Sequence, residues 1–227
     1  MRFSDLPDRL REVRERIDAA VQRGGHGQRV TIVAVTKTHG PDAAEAAWEA
    51  GLRDVGENRV QEALEKMDAV RAAVRWHLIG HLQRNKAKYV TRFALVHSID
   101  SARVADAVNE VGCGSGRPID VLLQANVVGE ATKGGFALAM LQAEGERIHA
   151  LTGLRVRGVM AMAPLDADEG ALRRIFGSAR EAAATLHQSG HEATELSMGM
   201  SNDFEIAVEE GATLVRLGTI LFGARAA

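Results

Sequence analysis

Val30-Thr-Ile-Val-Ala-Val-Thr-Lys-Thr-His-Gly-Pro41 is the stretch that decides the architecture of this chain. Its first six residues form an apolar, β-branched run that reads as a buried strand closing at Lys37. Pro41 fits the first turn of a helix that stops at Gly51. A doubly wound nucleotide-binding sheet would carry Gly-x-Gly-x-x-Gly between that strand and that helix. Here the connection is Thr-Lys-Thr-His-Gly-Pro, which favours a closed barrel over an open sheet.

The same alternation continues in both directions. Before the strand, Leu6, Leu10, Val13, Ile17 and Val21 share one helical face that ends at Gly24-Gly25, an extra helix at the N-terminus. After it, strands are expected over residues 53–56, 76–80, 94–99, 119–127, 154–161, 192–196 and 213–217. Helical faces lie between them: Val60, Ala63, Leu64 and Met67; a weaker one over 83–91; Val104, Val108 and Val111; Leu138, Leu141 and Ile148; Leu172, Ile175, Phe176, Ala179 and Leu186. Asn202-Asp-Phe-Glu205 reads as a capping box for the next helix, which buries Phe204, Ala207 and Val208. Short strand–helix connections imply parallel strands with right-handed crossovers. The fold expected is one (β/α)8 TIM barrel over residues 1–227, with no linker or composition break to mark a second domain.

Composition narrows the function. With 46% hydrophobic residues in 227, the chain can bury a sizeable core, yet no run approaches the ~18 apolar residues of a membrane span. The acidic, polar N-terminus lacks a signal core, so a cytoplasmic location is expected. Lone Cys113 excludes an internal disulfide and fits a reducing compartment. A net charge of −2, from 28 basic and 30 acidic residues, gives no pull toward nucleic acid or membrane. The densest basic stretch, Arg84-Asn-Lys-Ala-Lys88, has no interleaved aromatics to stack bases and reads as a solvated helix face.

Barrel sites gather at the carboxyl ends of strands, with phosphate often held after the last two. Two segments fall there: Ser197-Met-Gly-Met-Ser201, and Val215-Arg-Leu-Gly-Thr219. In the first, Gly199 is expected to bring the backbone close to the anion; in the second, Gly218 and Thr219 add a backbone donor and a hydroxyl. Lys37 shares a strand face with Val33 and Val35, so its amine is expected at the mouth. An amine facing a phosphate cradle points to a phosphorylated aldehyde held as a Schiff base, with pyridoxal 5′-phosphate (PLP) the leading candidate. Arg216 alternates with Val215 and Leu217, and an arginine suits the cofactor's ring nitrogen. Asn58, after the second strand, is placed to reach the ring's phenolic oxygen, and His77 is expected at the barrel mouth. The His77/His81 spacing invites zinc, but Gly80 interrupts it and no cysteine or acid stands nearby, so no metal site is expected.

These motifs, read together, resemble the pyridoxal phosphate homeostasis proteins. The matching segments are Ala34-Val-Thr-Lys-Thr38, Gly56-Glu-Asn58 with Val60-Gln-Glu62, Trp76-His-Leu-Ile-Gly-His-Leu-Gln83 with Asn85-Lys86, and Glu130-Ala-Thr-Lys-Gly134. Leu196-Ser-Met-Gly-Met-Ser-Asn-Asp-Phe-Glu205, Val215-Arg-Leu-Gly-Thr219 and Phe222-Gly-Ala-Arg225 complete them. The resemblance implies a barrel like the N-terminal domain of alanine racemase, PLP on Lys37, phosphate on Ser201, Gly218 and Thr219, and Arg216 at the ring nitrogen. It also implies a PLP carrier or regulator without established turnover. Thr36 and Thr132 stand where the family often has serine, and Gly40 lengthens the loop after Lys37.

The function expected is intracellular PLP homeostasis by a monomer that releases cofactor to acceptor apoenzymes. Two rivals are a PLP-dependent amino-acid racemase or lyase, and a Schiff-base aldolase acting on a phosphorylated sugar. Racemisation needs proton-transfer groups on both faces of the substrate carbanion. The resembling racemases take the second group, a tyrosine, from a second domain across a dimer. This chain ends at Ala227 after its eighth unit, and its one tyrosine, Tyr89, falls in the weak helix, so no second proton-transfer group is expected.

Overall fold

The computed structural model describes residues 3–129 and 134–223. Helix α1 (Leu6–Gly24) buries Leu6, Leu10, Val13, Ile17 and Ala20 and stops at Gly25, whose left-handed backbone returns its N–H to the Val21 carbonyl. The strand–helix units follow: β1 (Thr31–Val35) and α2 (Pro41–Glu49), β2 (Asp54–Glu57) and α3 (Val60–Ala69), then β3 (Arg75–Leu78) with a 3₁₀ helix (Arg84–Arg92). Next come β4 (Leu95–Ile99), α4 (Ala102–Ser115), β5 (Ile119–Asn126), the two-residue β6 (Phe136–Ala137) and α5 (Leu141–His149). The chain continues with β7 (Leu154–Met160), α6 (Glu169–Gln188), β8 (Glu195–Ser197), α7 (Phe204–Glu209), β9 (Leu214–Leu217) and α8 (Thr219–Phe222).

Every strand pairing is parallel, and pairing of β4 with β5 closes the order β4-β3-β2-β1-β9-β8-β7-β5 into an eight-stranded ring. The architecture is a (β/α)8 barrel, as expected. Strand ends shift by a few residues, most at β8, expected over 192–196 and found at Glu195–Ser197, and three further differences have a physical cause. The weak helix is 3₁₀, because Ala87, Val90 and Phe93 bury a spacing of three that eclipses side chains along that tighter helix. Leu138 precedes α5 in a short 3₁₀ turn, since the β6 pairing with β5 holds the chain extended just before it. The capping box does not form: Asp203, not Asn202, occupies the N-cap of α7, and its carboxylate turns back to accept from the Met200 N–H at 2.6 Å.

Strand alternation divides the core. Outward residues such as Ile32, Ala34, Val96, Val215 and Leu217 pack with the helices in one continuous cluster. Inside the ring, Val33, Leu95, Leu122, Met160 and Leu214 form a small apolar plug. The buried polar residues Asp54, His77, His97, Gln124, Ser197 and Arg216 also come from strands. A barrel filled only for stability would carry bulky aliphatic side chains at such positions.

Candidate functional site

A cavity of about 410 Å³ opens at the carboxyl ends of the strands. Lys37, Asn58, Ser201, Arg216, Gly218 and Thr219 all line it. Val35, Ile79, Met162 and Leu165 supply apolar wall, and among the described residues no aromatic ring contributes. The volume lies in the range of small-ligand sites.

Lys37 sits half-buried in the turn after β1, on a backbone fixed from both sides. The Thr36 carbonyl accepts from Lys66 Nζ at 2.9 Å, and Thr36 Oγ1 donates to Glu57 Oε1 at 2.5 Å. The Thr38 N–H donates to Glu62 Oε1 at 2.8 Å, and Thr38 itself adopts φ of 66°. Lys66 Nζ joins the two carboxylates, 2.7 Å from Glu57 and 2.8 Å from Glu62. Burial raises the Glu57 carboxyl pKa despite the bonds from Lys66 and Thr36. At partly buried Glu62 burial also acts upward, but Lys66 and the Thr38 N–H outweigh it and hold the carboxyl below its usual range. Glu57 and Glu62 stand in the family motifs with no role expected of them, and Lys66 lies outside those motifs. The signal was the i, i+4 pair of Glu62 and Lys66 on α3.

The two turns opposite Lys37 are stitched together. The Arg216 N–H donates to the Gly199 carbonyl at 3.0 Å, and the Ile220 N–H donates to Ser201 Oγ at 3.4 Å. Gly199 does not line the cavity: its φ is 91°, and a Cβ there would lie 2.7 Å from the Ala207 side chain. Its glycine lets the turn pack on α7, which corrects the expectation that it approaches an anion directly. Gly80 has a comparable task, since a Cβ there would meet the Asn58 carbonyl at 2.3 Å, so the glycine lets Asn58 sit at the wall.

Arg216 is buried, and Nη1 donates to the carbonyl and hydroxyl oxygens of Ser197, each at 2.7 Å, while Nη2 donates to the Ala161 carbonyl at 3.0 Å. Burial lowers its pKa to about 10 against the pull of Asp203, so it stays cationic at neutral pH. Asp203, missed by the sequence reading except as part of a cap, lines the cavity with its carboxyl pushed up by burial against the Met200 N–H and Arg216.

His77 is not at the mouth. Nε2 lies 2.8 Å from Asp54 Oδ1 and Nδ1 lies 2.9 Å from His97 Nε2, beside a second cavity of about 210 Å³ among residues that begin the strands. His77 points into the barrel but lies deeper than expected: Ile79, two residues further along, takes the place at the wall. His81 is exposed and bonded to Asp100, apart from His77. Among the described residues no group of three potential metal ligands forms. Tyr89 lies outside the cavity, with Lys88 over its ring. The segments Glu130-Ala-Thr-Lys133 and Ala224-Arg225 of the family motifs lie outside the described residues.

Residues 9–226 match the family described as alanine racemase, N-terminal domain. The pyridoxal phosphate homeostasis protein of Aquifex aeolicus is 40% identical over 222 residues, covering 96% of this chain and 97% of its own. That of Pseudomonas aeruginosa is 40% identical over 226 residues, covering 98% and 97%. The structure of PipY from Synechococcus elongatus with PLP bound superposes with a TM-score of 0.84 at 37% identity, covering 96% of this chain and all of that one. By near-complete coverage at this identity, the chain belongs to the pyridoxal phosphate homeostasis protein family.

Proposed function

We infer that this protein binds PLP in the strand-end cavity and serves intracellular PLP homeostasis, releasing the cofactor to acceptor apoenzymes. One observation carries the reading: a single cavity brings an amine, a buried guanidinium and two stitched turns together from the first, eighth and ninth strands. The residues fit the group. Lys37 and Arg216 outnumber Asp203 among the charged residues of the wall, which favours an anionic ligand. The Ser201 and Thr219 hydroxyls and the Gly218 turn suit a phosphate, Arg216 a ring nitrogen, and Asn58 a phenolic oxygen. Val35 and Ile79 give the ring apolar contact. When bound, the cofactor supplies an aldehyde that condenses reversibly with an amine. Lys37 would provide that amine, on a backbone held at the peptide groups on both sides.

The protein is a carrier without amino-acid turnover, acting as a monomeric single-domain barrel in the cytoplasm. The lining supports this: besides Lys37 and the tethered Asp203, the described residues place no tyrosine, histidine or cysteine there as a second proton-transfer group. An arginine at the ring nitrogen also makes a poorer electron sink than a carboxylate would. The exposed thiol of Cys113 suits a reducing compartment.

Purified protein should keep a visible chromophore through desalting. Borohydride followed by peptide mapping should place the pyridoxyl group on Lys37, and Lys37→Ala should lose the chromophore while keeping its circular dichroism. A label at Lys86 or Lys133 instead would overturn the assignment. Lys37-dependent turnover of any common L-amino acid at roughly 1 per second or faster would favour an enzyme.

A further inference from the structure

Behind Arg216, buried polar groups line up across the barrel interior. Arg216 Nη1 is 2.7 Å from Ser197 Oγ, which is 2.8 Å from His97 Nδ1; His97 Nε2 is 2.9 Å from His77 Nδ1. His77 Nε2 is 2.8 Å from Asp54 Oδ1, and Arg75 Nη2 is 2.6 Å from Asp54 Oδ2. Ser197 and His97 are fully buried, while the Arg75 side chain is 63% exposed at the opposite end of the barrel.

Hydrogen-bond chemistry fixes the direction of this line. Arginines only donate and a carboxylate only accepts. Burial pushes the Asp54 carboxyl up, but the bonds from His77 and Arg75 outweigh it and keep it ionised. His77 then donates from Nε2, and in its neutral form its Nδ1 is left to accept from His97 Nε2–H. Burial, with His77 and Arg216 adding to it, keeps His97 neutral, so its Nδ1 accepts the Ser197 hydroxyl proton. Ser197 Oγ is left to accept from the guanidinium. With both histidines neutral, each group between the two arginines has one role, and reversing any one of them leaves a donor facing a donor.

We propose that Ser197, His97, His77 and Asp54 are positioning residues for Arg216, forming a one-way relay that fixes both histidines as Nε2–H tautomers and holds the guanidinium in its orientation toward the cofactor ring. The proposal rests on the reading of the cavity given above and adds four residues to it. It explains why polar side chains occupy interior positions that aliphatic residues would fill more cheaply.

The relay is tested first in ligand-free protein labelled with ¹⁵N at its eight histidines. Long-range ¹H–¹⁵N spectra at neutral pH, assigned with His77→Gln and His97→Gln, should show Nε2–H at both positions. In Asp54→Asn the carboxamide oxygen must face Arg75, so its N–H₂ group faces His77 and both histidines should move their proton to Nδ1. A doubly protonated or Nδ1–H histidine in the unsubstituted protein overturns the relay, as does Asp54→Asn leaving both tautomers in place. If Asp54→Asn does not fold, Ser197→Ala cuts the relay and leaves two carbonyl bonds to Arg216. Its PLP affinity should fall about fivefold, the loss of one ordinary hydrogen bond, while an analogue with carbon in place of the ring nitrogen binds unchanged. Equal weakening of both ligands reduces the relay to packing. Should the unsubstituted protein bind neither ligand, the reading of the cavity fails, and the tautomers alone decide the relay.

Discussion

The two sides of the cavity are held by different kinds of polar network. On the lysine side, Lys66 and Glu62 grip the peptide groups before and after Lys37, with Glu57 holding Lys66, and no described contact ties the Lys37 side chain. On the arginine side, neutral oxygens grip the guanidinium itself. The contrast matches the work proposed above for each residue. An amine that must bond to a cofactor and let it go needs a fixed root and a mobile tip. A cation that faces the same ring in every state needs a fixed tip. Charge holds the first because backbone amides and carbonyls are strong partners for ions, and neutral groups hold the second without quenching its charge.

The largest expected effect comes from breaking the charged side. Lys66→Met leaves Glu57, fully buried, without its cation, a change that costs about 3–5 kcal/mol. Urea denaturation should show that loss together with weaker PLP retention; an unchanged midpoint would mean the clamp contributes nothing. Next, Ser201→Ala and Thr219→Ala each remove a hydroxyl suited to a charged group, a loss of about 1.5–3 kcal/mol. PLP affinity should drop tenfold or more in titrations while pyridoxal, lacking the phosphate, is spared. Equal losses for both ligands would make these turns structural only.

A pH series sharpens the comparison further. His97 is held well below its ordinary value, chiefly by burial and also by His77 and Arg216, so the unfolded chain takes up its proton first. Its contribution to stability is full above the unfolded value near 6.5 and is lost as pH falls below it. His191 adds to the same slope, lowered by burial and by His149 against its bond to the Gly145 carbonyl. Glu57 runs the other way: with its pKa raised, its contribution is full below 4.5 and declines as pH climbs through the folded value. His97→Gln should therefore flatten the fall in unfolding free energy from pH 6.5 to 5 in part, with the His191 share remaining. An unaltered slope would place His97 outside the titrating core. The smallest effect belongs to Glu62→Gln. That side chain is 27% exposed, so solvent screens its pair with Lys66, and a loss of about 0.5–1 kcal/mol is expected from thermal melts.

Much of this was legible in the sequence because it depends on local periodicity. The inward parity of Val33, Val35 and Lys37, and the alternation of Arg216 with Val215 and Leu217, follow from the two-residue repeat of a strand. Parity carries no depth, which is why His77 was expected at the mouth where Ile79 stands. The relay was out of reach for another reason. His97 and Ser197 lie 100 residues apart, on β4 and β8, and meet only across the interior of the closed barrel. Asp203 misled because an acid beside Asn202 and before Phe204 looks like part of a helix cap. Only the fold reveals that its carboxylate turns back to Met200.

Helix α1 packs on α7 and α8, and Arg16 reaches Glu205 across 189 residues of sequence. Strand β1 likewise waits for β9, which pairs with it from Thr31 to Ala34. During synthesis, then, the apolar face of α1 and one edge of β1 leave the ribosome long before their partners α7, α8 and β9. Lys37 is made well before the turns that share its cavity. A nascent chain that still lacks β8 and β9 therefore cannot assemble this pocket, and a reactive aldehyde finds its site only once both strands are made.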